Sequence, residues 1–404
     1  MKTSRRVFLK SSIGGAALLA GGVSVPGFLA RTARAATCET GQRILVVVQL
    51  TGGNDGLNTV VPFRDDIYAR LRPTLRISDA QALRLTDDLG LHPEMRGLKK
   101  LFDHGQLSII NNVGYPNPDR SHFRSMDIWH TANLIPEDAR DGWLGRVVDS
   151  ESRETDAPGA LHLASAALPL ALRTQRQPVP SVESLEAFRL PDGATDLAGL
   201  IAAPRPSAAD DLLYVQRVAV ASCTNARRIE SVLRNDRSDS SYPDFGLAGR
   251  LRQIAQLIGA EFGARVYYTS LDGFDTHARQ ALAHGPLLRE LSESLAAFQA
   301  DLAARGVAEQ VLTMTFSEFG RRVAENGSQG TDHGAAAPMM VMGAACRAGV
   351  IGGPPKLDAL VDGDVAHQID FRSVYATVLD DWLQLKSTAI LGKYHERLAI
   401  CKRA

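Results

Sequence analysis

Residues 310–343 read QVLTMTFSEFGRRVAENGSQGTDHGAAAPMMVMG. The stretch opens with an apolar run, residues 311–316, whose length and bulky or β-branched side chains predict a buried strand. A second apolar run, residues 339–342, closes it. Charged and imidazole side chains lie between the two runs: Glu318, Arg321, Arg322, Asp332 and His333. Loops that leave rigid strands deliver such groups to metal sites, so the stretch predicts a metal site or, more simply, a surface hairpin with capping residues.

The N-terminus carries an export signal. Residues 4–10 read SRRVFLK, a twin-arginine signal, and an uncharged, glycine-containing segment of residues 11–30 follows that is a poor membrane helix. Residues 33–35, ARA, form a small-x-small cleavage site, which predicts a twin-arginine signal peptide over residues 1–35 and a mature chain from Ala36. We therefore expect a periplasmic or secreted protein, exported folded by the twin-arginine translocase as its transient partner.

The composition of the mature chain disfavours two classes of partner. The full sequence has 45 basic and 45 acidic residues. Residues 1–35 hold six of the basic residues and no acid, so the mature chain has 39 against 45, a net charge of −6. This balance argues against nucleic acid and anionic lipid as main partners. No further apolar run is long enough to span a bilayer, so we expect no stable membrane insertion of the mature chain.

The four cysteines, Cys38, Cys223, Cys346 and Cys401, are spaced too widely for a zinc cluster. An oxidising compartment would allow one or two disulfides among them, but the sequence does not assign the pairs. Buried free thiols are the simpler interpretation. We favour it for Cys346, which lies next to an apolar run.

Strand and helix patterns alternate along the chain without an internal repeat, which predicts an α/β fold. The apolar run of residues 43–50 is typical of a central parallel strand covered on both faces. The patterns predict further strands at 107–111 and 265–270, and helices at 94–104, 122–132, 208–235, 245–262, 286–305 and 371–385. Residues 150–206 lack clear periodicity and predict an inserted cap region with short strands in a single domain over residues 36–404.

Acids and imidazoles follow three of the predicted strands. They are Asp55 after the first, Asp272, Asp275 and His277 after the run 265–270, and Glu318, Asp332 and His333 after the run 311–316. Ligands of open α/β sheets bind outside the carboxyl ends of the strands, where gathered carboxylates repel one another unless a cation neutralises them. The set predicts a divalent metal: zinc, manganese or magnesium. For Asp55, in Asn-Asp-Gly, a plain turn is the alternative.

A fourth segment contributes a hydroxyl group. The loop of residues 115–121 ends at Ser121, a natural N-cap for the helix predicted at 122–132. The positive end of a helix dipole stabilises anions, so a nucleophile that attacks a phosphate ester is useful there. Simple capping is the alternative role for this serine.

Several segments together resemble a known family. They are the twin-arginine start, VVQLTGGNDGLNTVVP (47–62), SHFRSMDIWH (121–130), DGFDTH (272–277) and SEFGRRVAENGSQGTDHG (317–334). Over essentially the whole mature chain they resemble the exported "domain of unknown function 1501" family, which is distantly similar to the alkaline phosphatase and sulfatase superfamily. The resemblance implies an alkaline-phosphatase-like three-layer α/β/α sandwich. It also implies a metal Asp at Asp55, a nucleophile at Ser121, and an Asp…His ligand loop at Asp275 and His277.

The remaining ligand pair has two registers in this resemblance. Asp332-His333 looks like the superfamily's Asp-His-Gly pair. Alternatively Glu318-Phe319, directly at a strand end, takes the place of that pair, and His333 stands for a later histidine ligand. We prefer the second register because strand-end placement decides which loop reaches the site. In this second register one imidazole ligand of the superfamily pattern is missing. Asp272 remains an alternative to Asp275 as the acidic ligand.

Two functions are consistent with these residues. The first is a metal-dependent hydrolase of a small-molecule phosphate or sulfate ester, with Ser121 as nucleophile and Arg120 and Arg322, or Arg321, binding the ester oxygens. Its metal ligands would come from Asp55, Asp275, His277, Glu318, Asp332 and His333. The second is a catalytically degenerate exported protein that binds a ligand or partner, for which Phe319 in place of a histidine argues.

Overall fold

The computed structural model of the chain describes residues 42–151, 157–183, 228–232 and 240–402. The predicted signal peptide, Cys38, Cys223 and most of the predicted helix 208–235 lie outside this part. Among the described residues, no helix combines the length and the apolar character needed to cross a membrane.

The central strand is β1, Ile44–Thr51. Val46 and Val48 face one apolar cluster and Leu45 and Val47 face another, and all four side chains are fully buried. Successive side chains of a strand point to opposite faces, so an unbroken apolar run fits a strand that is covered on both sides. The layers of the fold are built outward from this strand.

The described strands form one large and one small sheet. They are β1, β2 (Val60–Val61), β3 (Leu83–Arg84), β4 (Gly90–Leu91), β5 (Leu107–Gly114), β6 (Ala160–Leu163), β7 (Ser181–Val182), β8 (Val266–Asp272), β9 (Val311–Phe316), β10 (Ala337–Met342), β11 (Gly349–Ile351) and β12 (Ile369–Asp370). The large sheet has the order β11-β5-β10-β9-β1-β8-β6-β7, with β12 also beside β5, and the small sheet is β2-β4-β3.

Strand β10 sets the geometry of the site. It pairs antiparallel with both of its neighbours, β5 and β9, whereas the other pairs of the large sheet are parallel. Because β10 runs in the opposite direction, the residues that precede it lie at the edge where β1, β5, β8 and β9 end. The predicted site segment 317–336 therefore starts and finishes at one edge of the sheet.

Helices cover both faces of the sheet. They are α1 (Gly56–Thr59), α2 (Asp66–Leu71), α3 (Arg96–Asp103), α4 (His122–Thr131), α5 (Trp143–Ser150), α6 (Gly246–Gly259), α7 (Gln280–Ala304), α8 (Phe371–Thr377), which continues as a π-helix over Val378–Trp382, and α9 (Ser387–Leu391). Helices α3, α6 and α7 pack on the face of Val46, and α4, α5 and α8 on the face of Leu45. The expected α/β class, a three-layer α/β/α sandwich with a mostly parallel central sheet, is confirmed.

Two sequence expectations differ from the structure in their details. The helix predicted to begin at Pro286 begins at Gln280, with Pro286 inside it. Its first residues are held by hydrogen bonds from the backbone N–H groups of Arg279 and Gln280 to the carbonyls of Ser328 and Gln329. These tertiary contacts outweigh the preference of proline for a helix start. In the region predicted as a cap, the described residues 157–183 extend the large sheet through β6 and β7.

Candidate metal centre

Three loops at the carboxyl edge of the sheet bring polar side chains together. Asp275 and His277 follow β8, Glu318 and Arg321 follow β9, and His333 precedes β10. His122 is the first residue of α4, which follows β5 through the loop 115–121. Because these segments meet at the same edge of the sheet, residues that are far apart in sequence become neighbours.

The centre of the site is the Oδ1 atom of Asp275. The Nε2 atoms of three histidines approach it, at 3.5 Å for His122, 3.0 Å for His277 and 3.2 Å for His333. The Nε2 atoms of His277 and His333 are 3.0 Å apart. Ligand atoms of His122, Asp275 and His333 all lie within 4.8 Å of one another. Three imidazoles thus approach one carboxylate oxygen.

The other ring nitrogen of each histidine is held by an oxygen. The Nδ1 contacts are His122 to Glu318 Oε1 at 2.9 Å, His277 to Asp332 Oδ1 at 3.3 Å and His333 to the carbonyl oxygen of Arg120 at 2.8 Å. Carbonyl and carboxylate oxygens only accept, so each Nδ1 must donate a proton. In a neutral ring this leaves the Nε2 lone pair free, which is how proteins orient histidines toward metals.

A divalent metal fits this donor set. The Nε2 atom of His122 is buried and has no hydrogen-bond partner among the described residues. Two Nε2 lone pairs only 3.0 Å apart, at His277 and His333, repel each other unless a proton or cation lies between them. Three histidine nitrogens and one carboxylate oxygen are ligand types that zinc binds. The donor types of this site therefore match a divalent metal.

A fixed cation already contacts the same carboxylate. Arg321, only 2% exposed, places Nη2 2.7 Å from Asp275 Oδ1 and donates further hydrogen bonds to the backbone carbonyls of Gly52, Gly53, Phe274 and Thr331. Burial raises the pKa of Asp275, but opposing interactions, led by the hydrogen bond from Arg321, outweigh it and bring the pKa to about 2. The carboxylate is therefore ionised at neutral pH and shared between a guanidinium and any bound metal.

Glu318 and His122 form a second hydrogen-bonded pair in the site. Glu318 is fully buried, and its Oε1 accepts hydrogen bonds from the backbone N–H of Gly52 at 2.8 Å and from His122. The hydrogen bond that His122 donates to this carboxylate is the main cause that raises the pKa of His122. In the structure Glu318 orients a histidine, as Asp332 does for His277, and neither contacts Asp275 directly.

Asp55 lies outside this cluster. Its Oδ2 is 2.5 Å from Nη1 of Arg72 in a fully buried ion pair and also accepts from Gln280. Burial raises the pKa of Asp55, but the charge and hydrogen bond of Arg72 outweigh it and lower the pKa below its usual value. Its Oδ1 has no hydrogen-bond partner among the described residues. The cation that lies beside Asp55, a predicted metal ligand, is thus the guanidinium group of Arg72.

Ser121 is exposed and occupies the N-cap position of α4, yet its side chain makes no capping hydrogen bond. Both neighbours of Ser121 in sequence contact the cluster. The carbonyl oxygen of Arg120 accepts a hydrogen bond from His333, and the ring of His122 approaches Asp275. The side chains of Arg120 and Arg322 lie beside Asp364, at 2.5 Å and 3.9 Å, with 36% and 40% of their surface exposed. Both guanidinium groups can still face solvent.

The structure brings together Asp275, His277, His333 and, through hydrogen bonds, Glu318 and Asp332. Sequence reasoning left out His122 and Arg72, and Asp272 is exposed. The signal for His122 was available, because an N-cap serine at the strand edge places the next residue there as well. Phe319 packs its buried ring 4.9 Å from that of His122 and 4.7 Å from that of His333.

Fold and site together define an α/β protein with a histidine–carboxylate cluster at the carboxyl edge of its central sheet. The chain belongs to the family described as "Protein of unknown function (DUF1501)", whose sequence pattern matches residues 42–397. No curated protein matches the chain.

The fold is similar to that of several solved structures, among them proteins described as an alkaline phosphatase superfamily member and a sulfatase. One is a protein in the alkaline phosphatase superfamily from Vibrio parahaemolyticus, with 8% identity, 89% of this chain and 70% of that chain covered, and a TM-score of 0.40. Another is the PsFucS1 sulfatase from Pseudoalteromonas sp., with 10% identity, 90% and 70% covered, and a TM-score of 0.39. A third is the C-terminal periplasmic domain of EcEptC from Escherichia coli, with 8% identity, 76% and 73% covered, and a TM-score of 0.37. At these values function must be argued from the residues of this chain.

Proposed function

We propose that this chain is an exported hydrolase of phosphate or sulfate esters that holds one divalent metal at His122, Asp275, His277 and His333. The observation that carries the proposal is the convergence of three Nε2 atoms on one carboxylate oxygen, each ring being held through Nδ1. Zinc suits three imidazoles and a carboxylate best, with manganese as the next choice. When bound, the metal would supply Lewis-acid polarisation of the ester.

The protein's own residues would carry out the remaining steps. Ser121, exposed beside the cluster, attacks the phosphorus or sulfur atom, and the alcohol leaves with a proton; water then releases the acid from the serine. The N-terminus of α4 stabilises negative charge on the attacked group. Arg120 and Arg322 bind the ester oxygens from their solvent-facing sides. Arg321 holds the loops and neutralises part of the charge of Asp275.

A second function, binding without turnover, is favoured by one specific feature. Arg72 and Arg321 already neutralise Asp55 and Asp275, two carboxylates expected to need metal. A site with fixed cations and one metal position could hold an anionic ligand or partner and lack the charge needed for hydrolysis. The alternative is an exported binding protein of the same ligand class.

The test measures metal and turnover together. The mature chain from Ala36 is stripped of metal, reloaded with zinc, manganese or magnesium, and assayed with p-nitrophenyl phosphate and p-nitrophenyl sulfate. We expect about one ion per chain. We expect His333→Ala to lose metal and turnover, and Ser121→Ala to lose turnover but keep the metal. The matched control is His104→Ala, because His104 is an exposed histidine at the end of α3.

The outcomes separate the two functions. No metal under any loading condition would remove the metal-dependent mechanism. A bound metal with no turnover of either ester, together with tight binding of inorganic phosphate or sulfate, would favour the binding protein. Equal turnover in wild type and Ser121→Ala would exclude the serine as nucleophile.

A further inference from the structure

Two thiols face each other far from the metal centre. Cys346, just after β10, and Cys401, near the C-terminus, are antiparallel bridge partners. The backbone N–H of Arg347 donates to the carbonyl of Ile400, and the N–H of Lys402 donates to the carbonyl of Ala345. These two bonds flank the cysteines and do not involve them, so Cys346 and Cys401 form a non-hydrogen-bonded antiparallel pair.

This position brings the two side chains close. Residues of a non-hydrogen-bonded antiparallel pair have Cα atoms about 4.5 Å apart and side chains on the same face. Disulfides require Cα atoms roughly 4.4–6.8 Å apart, and the typical spacing of such a pair lies within that range. Both cysteines also pack against the same apolar cluster, on the face of the sheet that carries α4 and α8.

We propose that Cys346 and Cys401 are an oxidation site that forms an intramolecular disulfide after export. In the structure both are free thiols. The thiolate of Cys401, the partly exposed residue, attacks a disulfide of a dithiol oxidase in the oxidising compartment and forms a mixed disulfide. The sulfur of Cys346 then displaces the oxidase thiol. Two thiol protons are released, and two electrons reduce the oxidase disulfide to a dithiol.

The surroundings of the pair predict slow formation in the folded chain. Burial raises the pKa of Cys346 to about 12 and that of Cys401 to about 11. Thiolate is the attacking species, so oxidation should take far longer than for an exposed thiol. Cys346 is fully buried and cannot meet a bulky oxidant itself, whereas it can reach the neighbouring sulfur of Cys401.

The crosslink would fix the C-terminal segment to the sheet. Residues 393–402 contain no helix or strand, and they are held by the buried side chain of Ile400 and by a hydrogen bond from the N–H of Leu398 to the hydroxyl of Thr377. A disulfide between residues 346 and 401 closes a loop that contains β11, β12 and α8. Such a closure restricts the unfolded chain more than the folded one.

The experiment uses the mature chain with Cys38→Ser and Cys223→Ser, which leaves only the proposed pair. The native, reduced protein is incubated with oxidised glutathione, quenched in acid, denatured and titrated for thiols. We expect two thiols before oxidation and none after, a mass lower by two hydrogen atoms and no glutathione adduct. Persistence of both thiols, or stable glutathione adducts, would overturn the proposal.

A second measurement needs no substitution at all. Peptide mapping of oxidised wild-type protein without reductant should find the peptide of Cys346 linked to the peptide of Cys401. A link from either residue to Cys38 or Cys223, or no link, would overturn the proposal even if the double variant fails to fold. The proposal rests on the proposed export but not on the metal site. Oxidation in vitro therefore tests it separately from both.

Discussion

At the scale of single residues, the buried pair of Asp55 and Arg72 is the largest change from what the sequence suggests. The position of Asp55 at a strand end was predictable, because β1 is a clear apolar run that stops at the turn. Its partner was not, because Arg72 lies in a separate segment after α2 and also donates to the carbonyls of Arg322 and Val323. Sequence spacing does not show which cation reaches a buried acid.

The pair gives a stability prediction. Asp55→Ala should lower the free energy of unfolding by about 3–5 kcal/mol, because it leaves a buried guanidinium without its counter-charge. Urea unfolding of the mature chain measures this loss. The control is Asp79→Ala, which breaks the exposed pair of Asp79 with Arg84, 45% and 55% exposed, and should cost no more than about 1 kcal/mol. Equal costs for the two variants would contradict a buried ion pair.

His130 gives a prediction for pH. It is buried beside Gln49 and Tyr268, and burial lowers its pKa to about 3. Between pH 6.5 and 3 the unfolded state therefore binds a proton that the folded state does not, so His130 adds stability above pH 6.5 that is lost as the pH falls through this window. Between pH 6 and 5 we expect His130→Asn to reduce the slope of unfolding free energy against pH by about 1 kcal/mol per unit.

Urea unfolding at pH 5.0, 5.5, 6.0 and 7.0 measures this slope. His104→Asn changes an exposed histidine and should leave the slope as in wild type. A wild-type slope in His130→Asn would show that this imidazole is protonated in the folded protein as readily as in the unfolded chain.

At the scale of elements, the segment between β9 and β10 was the best predicted part of the chain. Strand β9 has the predicted bounds of residues 311–316, and the second run begins two residues earlier, at Ala337. What the sequence did not show is that β10 pairs antiparallel on both sides, so that Glu318 and His333 reach the same edge. The two ligand registers looked exclusive, yet the structure brings both segments to the site. The pairing of strands that are distant in sequence brings the two segments together. A local sequence pattern does not reveal that pairing.

Two glycines of this segment test how tightly it packs. A Cβ on Gly330 would lie 2.2 Å from the carbonyl group of His277, whereas one on Gly327 would meet nothing within 4 Å. Gly330→Ala must therefore shift the backbone that carries a proposed ligand, and we expect about tenfold weaker zinc binding. Titration with a competing chelator measures the affinity. Gly327→Ala is the matched control, and an equal effect of both substitutions would contradict the packing argument.

At the scale of the whole molecule, the layered architecture followed from the alternation of apolar strands and amphipathic helices. The helix now seen at Gly246–Gly259 was expected at 245–262, because its apolar positions recur at helical spacing. The start of α7 was misplaced because contacts to Ser328 and Gln329, remote in sequence, override the signal of Pro286. The periodicity of apolar residues thus predicts the layers and the type of each element. The ends of helices and the pairing of strands depend on contacts with residues elsewhere in the chain.

The export proposal concerns the whole chain, because the twin-arginine route carries folded proteins. Arg5→Lys with Arg6→Lys should leave precursor in the cytoplasm and reduce the periplasmic form by about tenfold, since the signal is read by a receptor that requires the arginine pair. Immunoblots of fractionated cells measure the distribution, and N-terminal sequencing should find Ala36 first in the mature form. Arg31→Lys, in the same leader but outside the pair, is the control and should export normally. Equal export of the paired variant and its control would exclude the twin-arginine route.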